Sequence, residues 1–357
     1  MENSTFNDES VRLLDQRLSE DYQTNEPGAA VLIAINDEIV YQHCFGLANL
    51  DKQEKITPET NFRLASLTKQ FTAYGILLLE QQNKLSRNDT IGQFFSETFR
   101  NKCPIISQQI TIQHLLDHSS GLFDYEDNQL INHDQWSDYD VLETVNDKTL
   151  FQPGSQYRYS NTGYILLGLI IENVSSKSLE KFFDEYIFQP LNMKTSILYN
   201  SKQISIQNRA LGYIKQGDGF QISDQSPTSA TRGDGGIYMS LNDYFQWYLH
   251  YPRLSSASAF PINEPGGASS TYFYQFGWFL SDSTGEIRLH TGNSCGFTHQ
   301  VFRIDEEQRK ILVLYLSNIG DNNNPNIQKF NQLLIEKLPL LNPRNTNLLW
   351  EMEGLTR

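Results

Sequence analysis

Three short patterns in the sequence carry residue types able to do covalent chemistry. The first is Ser66-Leu67-Thr68-Lys69. Residues three apart on a helix share a face, so this spacing holds a hydroxyl beside an amine. A serine at a helix N-terminus also sits among backbone N–H groups without intrahelical partners, which favour nearby negative charge. The second is Tyr159-Ser160-Asn161, between Gln152-Pro153-Gly154 and an apolar helical run. Residues two apart in an extended segment point the same way, so a phenol and a carboxamide can enter one cavity. A tyrosine of lowered pKa can serve as a general base. The third is His290-Thr291-Gly292, at the end of a strand-like run. Gly292 allows another backbone or a substrate to approach closely, and free N–H groups on such a strand can hold a peptide-like substrate.

Each pattern has an ordinary counterpart. Ser178-Leu179-Glu180-Lys181 repeats the Ser-x-x-Lys spacing and reads as a plain helix cap with its lysine in solvent. Tyr159 to Asn161 alone reads as a surface turn, and His290 alone as a partly exposed strand-end histidine. His114 and His118 have the i, i+4 spacing of helical zinc ligands, but Asp117 stands in the acidic position and no third ligand is evident, so no metal is expected. The pairs Cys295 with His290 and Cys44 with His43 lack an orienting third group, which argues against a cysteine nucleophile.

The elements that must position these residues follow from periodicity. Residues 8–24 form an amphipathic helix with Val11, Leu14 and Leu18 on one face. Residues 29–35 and 38–46 are β-rich, and Asn36-Asp37 between them makes a hairpin. Residues 66–82 form a strong helix. Thr111 caps a helix that stops at Ser120-Gly121, with Gly121 left-handed. Residues 162–174 form an apolar helix, and Ser178 caps another that stops before Pro190. The turn 232–236 leads into a helix at Ser240, where Asp243 gives a capping-box spacing. Residues 252–270 read as a loop. Strands follow at 276–281, 286–292, 297–304 and 310–318, then a helix over 325–338. The expected fold is α/β of the α+β kind: one antiparallel sheet built from both chain ends and flanked by terminal helices, with a mostly helical insertion. Residues 1–62 and 271–357 make the sheet domain and 63–270 the helical one, with the site in the cleft between them.

Composition bounds the rest. The 357 residues are enough for a large core or two domains, and 39% hydrophobic with 20% charged residues is a globular balance. Lys plus Arg number 28 against 42 Asp plus Glu, giving a formal charge of −14, unsuited to nucleic acid or anionic lipid. The longest apolar run, 164–171, is far short of the ~20 residues of a membrane span. The start carries Glu2, Asp8 and Glu9, with neither a basic nor an apolar leader region, so no signal peptide is expected. A chain already trimmed of its leader reads the same, and the compartment and oligomeric state stay open. Three cysteines, Cys44, Cys103 and Cys295, cannot make a disulfide framework and are expected free.

The order Ser-x-x-Lys, Tyr-x-Asn, His-Thr-Gly resembles the serine β-lactamase-related family of class C β-lactamases, D-alanyl-D-alanine carboxypeptidases, D-amino peptidases and esterases. The stretch Gln113 to Leu122, Gln152-Pro153-Gly154, Gly235-Gly236 and Gly296-Phe297 resemble it too, and the likeness spans roughly residues 10 to 340. It implies a penicillin-recognising fold and an acyl-enzyme mechanism without metal or organic cofactor. Ser66 is then the nucleophile, and Lys69 and Tyr159 share the proton transfer, Lys69 with a lowered pKa. Asn161 holds the substrate amide, and the N–H groups of Ser66 and Asn293 form the oxyanion hole beside Thr291 and Gly292. The implied substrate is a small molecule or short peptide. One departure is informative: β-lactamases and the carboxypeptidases commonly have lysine where this chain has His290. A neutral histidine offers no fixed charge to a substrate carboxylate. This favours a D-peptidase or esterase over a β-lactamase, and the presence of Lys69 and Tyr159 argues against the alternative of a non-catalytic penicillin-binding sensor or scaffold.

Overall fold

Asn36 and Asp37 both adopt left-handed backbone, φ 53° and 69°. This is the two-residue turn whose twist suits a tight hairpin, and it folds β1 (Ala29–Ile35) against β2 (Glu38–Phe45). A computed structural model describes residues 6–127, 135–200, 205–251, 259–262, 272–281, 284–320, 325–336 and 338. Helix α1 (Asp8–Asp21) precedes the hairpin, with Asn7 as its cap and Leu14 and Leu18 buried. The small strands β3 (Leu47–Asn49), β4 (Glu54–Lys55) and β5 (Phe62–Arg63) follow. A single 3-10 turn, Ala65–Thr68, then runs into helix α2 (Lys69–Gln81). The middle of the chain is mostly helical: α3 (Glu97–Lys102), α4 (Pro104–Gln109), α5 (Ile112–Leu116), α6 (Asp138–Thr144), α7 (Asn161–Ser175) and α8 (Leu179–Phe183). Then come β6 (Ile197–Leu198), β7 (Tyr213–Gln216), β8 (Gly219–Ile222), β9 (Ile237–Met239) and α9 (Leu241–His250). The end supplies β10 (Phe260–Ile262), β11 (Tyr272–Gln275), β12 (Trp278–Leu280), β13 (Ile287–Ser294), β14 (Phe297–Glu306), β15 (Arg309–Ser317) and helix α10 (Pro325–Glu336).

The main sheet has eight antiparallel strands in the order β10-β11-β12-β13-β14-β15-β1-β2. β1, from the start of the chain, pairs with β15, from its end, over Ala29↔Ser317 to Ile35↔Ile311. The α/β architecture with one sheet from both chain ends is therefore present. Both terminal helices lie on the sheet: Asp15 of α1 accepts from Tyr41 of β2 at 2.8 Å, and Asn331 of α10 exchanges two amide bonds with Gln300 of β14, each 2.8 Å. In the helical region α7 is buried along Thr162–Ile171. Among the described residues no helix is long and apolar enough to cross a membrane. Cys44, Cys103 and Cys295 are all free thiols.

Four details depart from the sequence reading. Phe276 and Gly277, read as strand, are the turn between β11 and β12, with φ 48° and 82°. A Cβ at Gly277 would lie 2.6 Å from the backbone nitrogen of Gln70, so this turn packs directly on the start of α2. Residues 252–270, read as loop, include β10 at Phe260–Ile262; the remaining Ala259 is described and 252–258 and 263–270 lie outside the described residues. The helix capped by Thr111 stops at Leu116 rather than Ser120, and His118 as well as Gly121 is left-handed. Asp243 does not close a capping box on Ser240; its carboxylate instead binds Thr195 and Ser196 of the neighbouring segment.

Candidate active site

The chain bends sharply just before Ser66. Ala65 has φ 49°, a left-handed conformation costly for a residue with a Cβ. The turn that follows leaves Ser66 partly exposed, while Lys69, three residues on, is fully buried. The three-residue spacing does what helical geometry requires: Lys69 Nζ lies 3.0 Å from Ser66 Oγ. The amine's two other hydrogen bonds run to Asn161 Oδ1 at 2.7 Å and the Asp234 backbone carbonyl at 3.0 Å. Both of those oxygens can only accept, so two N–H bonds are committed and the third tetrahedral position of Nζ faces Ser66.

Tyr159 stands beside this pair because Ser160, not Tyr159, caps α7: Ser160 Oγ accepts from Gly163 N–H. Ser160 itself is extended, which leaves Tyr159 just outside the helix and puts Asn161 on its first turn. Lys69 Nζ lies 4.9 Å from the Tyr159 ring centre. The Tyr159 hydroxyl is buried and makes no hydrogen bond among the described residues. Burial pushes its pKa up, while the nearby Lys69 charge and Ser66 hydroxyl pull it back. The phenol is thus protonated near neutrality.

Strand β13 closes the site from the sheet side. A Cβ on Gly292 would sit 2.3 Å from the Leu64 carbonyl oxygen, so only glycine lets β13 lie against the chain entering Ser66. His290 is completely buried rather than a partly exposed strand end. Its Nδ1 is 2.7 Å from the Thr291 carbonyl, which can only accept, so Nδ1 carries the proton. Nε2 then accepts from the Tyr274 hydroxyl at 3.3 Å. Burial depresses the His290 pKa to about 3, with a smaller push from the Lys69 charge. His290 is neutral, with its acceptor occupied. Thr291 is half-buried and Asn293 exposed on the same strand.

Several supporting residues gave little signal in the sequence. Asp234 reaches Lys69 through its backbone, and its carboxylate accepts from Tyr125 at 3.0 Å. The turn that carries it is anchored by Arg232, which binds Asp138, Glu172 and Glu180, and by Thr72, whose hydroxyl donates to the Gly233 carbonyl at 2.6 Å. His299, buried and with its pKa lowered to about 4 by burial, donates from Nε2 to the Arg63 carbonyl at 2.6 Å and accepts at Nδ1 from Ser317 N–H at 3.2 Å. It ties two sheet strands to the segment that leads into Ser66. Glu126 has its carboxyl pushed up to about 7 by burial and by Asp124 and Asp234, against the pull of Lys69 and the Asn161 side chain.

The decoys are engaged in other ways. His114 Nδ1 accepts from the Thr111 backbone at 3.2 Å and His118 Nδ1 from the Ser160 backbone at 3.0 Å, so each histidine holds a separate stretch of chain. Among the described residues no His, Cys, Asp and Glu cluster suited to a metal occurs. Cys44 is pushed up to about 12 by burial, while His43 beside it pairs with Asp15 at 2.7 Å. Ser178 is a helix cap and Lys181 is exposed.

This arrangement defines a class. Residues 12–335 match the model of the Beta-lactamase family, and the chain belongs to that family. Among curated relatives it is 30% identical over 334 residues to a penicillin-binding protein of Bacillus subtilis strain 168, covering 86% of this chain and 71% of that protein. Among solved structures it resembles the octameric penicillin-binding protein homologue from Pyrococcus abyssi, with TM-score 0.72, 25% identity, and 91% and 76% of the two chains covered. The fold is also that of the D-amino acid amidase from Ochrobactrum anthropi SV3, with TM-score 0.70, 22% identity, and 92% and 97% covered.

Proposed function

We propose that this protein is a serine hydrolase that acylates on Ser66 and acts on uncharged esters or on amides and short peptides of D-amino acids. The observation that supports it most is that Lys69 Nζ lies 3.0 Å from Ser66 Oγ and 4.9 Å from the centre of the Tyr159 ring. Ser66 Oγ attacks the substrate carbonyl carbon as its proton passes to the Lys69–Tyr159 pair. The tetrahedral oxyanion rests on the N–H groups of Ser66 and Asn293; one such donor is worth about 2.7–4 kcal/mol. Collapse breaks the bond to the leaving alcohol or amine, which takes a proton relayed through Lys69 and the Tyr159 phenol. Water then attacks the acyl carbon, returns a proton to Ser66 and releases the acid. Asn161, held by Lys69, orients the substrate amide. The site lies where the helical region meets the sheet built from the chain ends.

Selectivity rests on charge. His290 is neutral and its acceptor nitrogen is occupied by Tyr274. A substrate carboxylate finds no fixed cation at the position where β-lactamases commonly have lysine. This supports esters and D-amino acid amides over penicillins. The reading is tested by measuring hydrolysis of a p-nitrophenyl ester and a D-alanine p-nitroanilide by the wild-type protein and by Ser66→Ala. Turnover by the first and none by the second is expected; equal turnover by both overturns the assignment. Labelling by a fluorescent penicillin without turnover of either substrate would instead favour a sensor.

A further inference from the structure

His118 occupies an unusual position for a residue outside the catalytic motifs. Its backbone is left-handed, φ 59°, directly after α5. Its side chain is buried, at 1% exposure. Nδ1 accepts from the Ser160 backbone N–H at 3.0 Å. Its carbonyl accepts from Arg158 N–H at 2.9 Å. One residue thus grips the chain on both sides of Tyr159. Its ring lies 4.2 Å from the Tyr159 ring and 4.4 Å from that of Tyr274, the residue that caps His290. Because Nδ1 accepts, the neutral ring carries its proton on Nε2, which is buried and has no partner among the described residues. A protonated ring would turn the Ser160 N–H from partner to clashing donor. Burial drives the His118 pKa well below its ordinary value and so keeps the acceptor available.

We infer that His118 is a positioning residue for the Tyr159 phenol, acting through the Ser160 backbone bond and the ring contact, and that the strained left-handed backbone is retained to place it there. This rests on the proposed role of Tyr159. Motion of the phenol by about 1 Å is enough to lower a rate by roughly a hundredfold, whereas substrate contacts made by Asn161 and β13 stay in place. Loss of His118 should therefore act on kcat and leave KM nearly unchanged.

The test compares His118→Phe, which keeps a ring and removes the acceptor, with His118→Asn, which offers Oδ1 as a replacement acceptor. Burst acylation and turnover of p-nitrophenyl acetate are measured for both, with melting temperatures. His118→Phe should lose roughly ten- to a hundredfold in acylation rate and kcat with KM changed less than about twofold, and His118→Asn should recover most of that loss. Wild-type kcat in His118→Phe, or equal losses in both variants matching their loss of stability, overturns the inference. Should His118→Phe fail to fold, the 15N shifts of the wild-type His118 ring decide: a bare Nδ1 and protonated Nε2 support it, and a protonated Nδ1 overturns it. A wild-type protein that forms no Ser66 adduct removes the hydrolase reading and this inference together, an outcome separate from variants failing on an active wild type.

Discussion

Lys69 Nζ and Asn161 Oδ1 meet at 2.7 Å across 92 residues of sequence. That bond joins the first motif to the second, and the Asp234 carbonyl at 3.0 Å adds the glycine-rich turn. With both of these acceptors in place, the remaining position on the amine points at Ser66. The lysine therefore organises the site, and the proposed mechanism asks it to carry the serine proton as well.

Lys69→Met keeps the length of the side chain and removes all three bonds. General acid–base catalysis contributes about 10²–10⁴-fold, so kcat/KM for an aryl ester should fall by at least that much. The Asn161 and Asp234 oxygens would lose a buried donor, costing on the order of 1–3 kcal/mol in stability. Steady-state kinetics and urea denaturation measure the two effects. Activity within tenfold of wild type would contradict the assigned role.

Gly292 tests the approach of β13 to the turn bearing Ser66. In Gly292→Ala the new Cβ meets a backbone oxygen at 2.3 Å, which cannot move without shifting the turn. Activity should fall by roughly a hundredfold, since displacement of about 1 Å suffices for that. Gly219→Ala, whose Cβ meets nothing within 4 Å, is the control and should leave activity unchanged. Equal activity in both variants would show that the contact is irrelevant.

The neutral buried histidines predict a pH dependence of stability. His299 and His290 have folded pKa values of about 4 and about 3, below the ordinary 6.5. The unfolded chain therefore binds their protons first as pH falls. Their contribution is full above about pH 6.5 and is lost toward pH 4, with a slope of at most about 1.4 kcal/mol per pH unit for each. Asp138 and Glu126, raised to about 7, act the other way: their penalty is relieved as pH falls below 7. The difference between wild type and His299→Gln isolates the histidine. Guanidinium denaturation at pH 7.5, 6 and 5 should show the wild type losing its advantage steadily below 6.5; a constant difference would contradict the neutral buried state.

The charge of the site predicts its substrates. Benzylpenicillin carries a carboxylate and finds neutral His290 where a lysine would help, so it should acylate slowly and turn over poorly compared with an uncharged aryl ester. Stopped-flow acylation rates compare them directly. Penicillin turnover as fast as that of the ester would contradict this account of selectivity.

Part of the candidate site was legible in the sequence because it is local. Ser66 and Lys69 face each other by their three-residue spacing, and Asn36-Asp37 makes its own turn. The residues that were not legible act over long separations. His299 reaches the Arg63 carbonyl across 236 positions, Asp234 contributes a backbone oxygen that no side-chain pattern reports, and His118 works through a backbone N–H of Ser160. Tertiary packing also decided Phe276-Gly277: the apolar run reads as strand, but Gly277 must lie against Gln70, which makes it a turn. Full burial of His290 was equally invisible, since it comes from the aromatic wall of Tyr159, Tyr274 and Phe279 gathered from distant segments.

The central claim is that the Ser66 hydroxyl is the group acylated. Intact-protein mass spectrometry during turnover of a slowly deacylating aryl ester, followed by peptide mapping, reads this directly. The account predicts one acyl adduct per chain, on the peptide holding Ser66, and none on Ser66→Ala. An adduct on any other residue, or an equal adduct on Ser66→Ala, would contradict it.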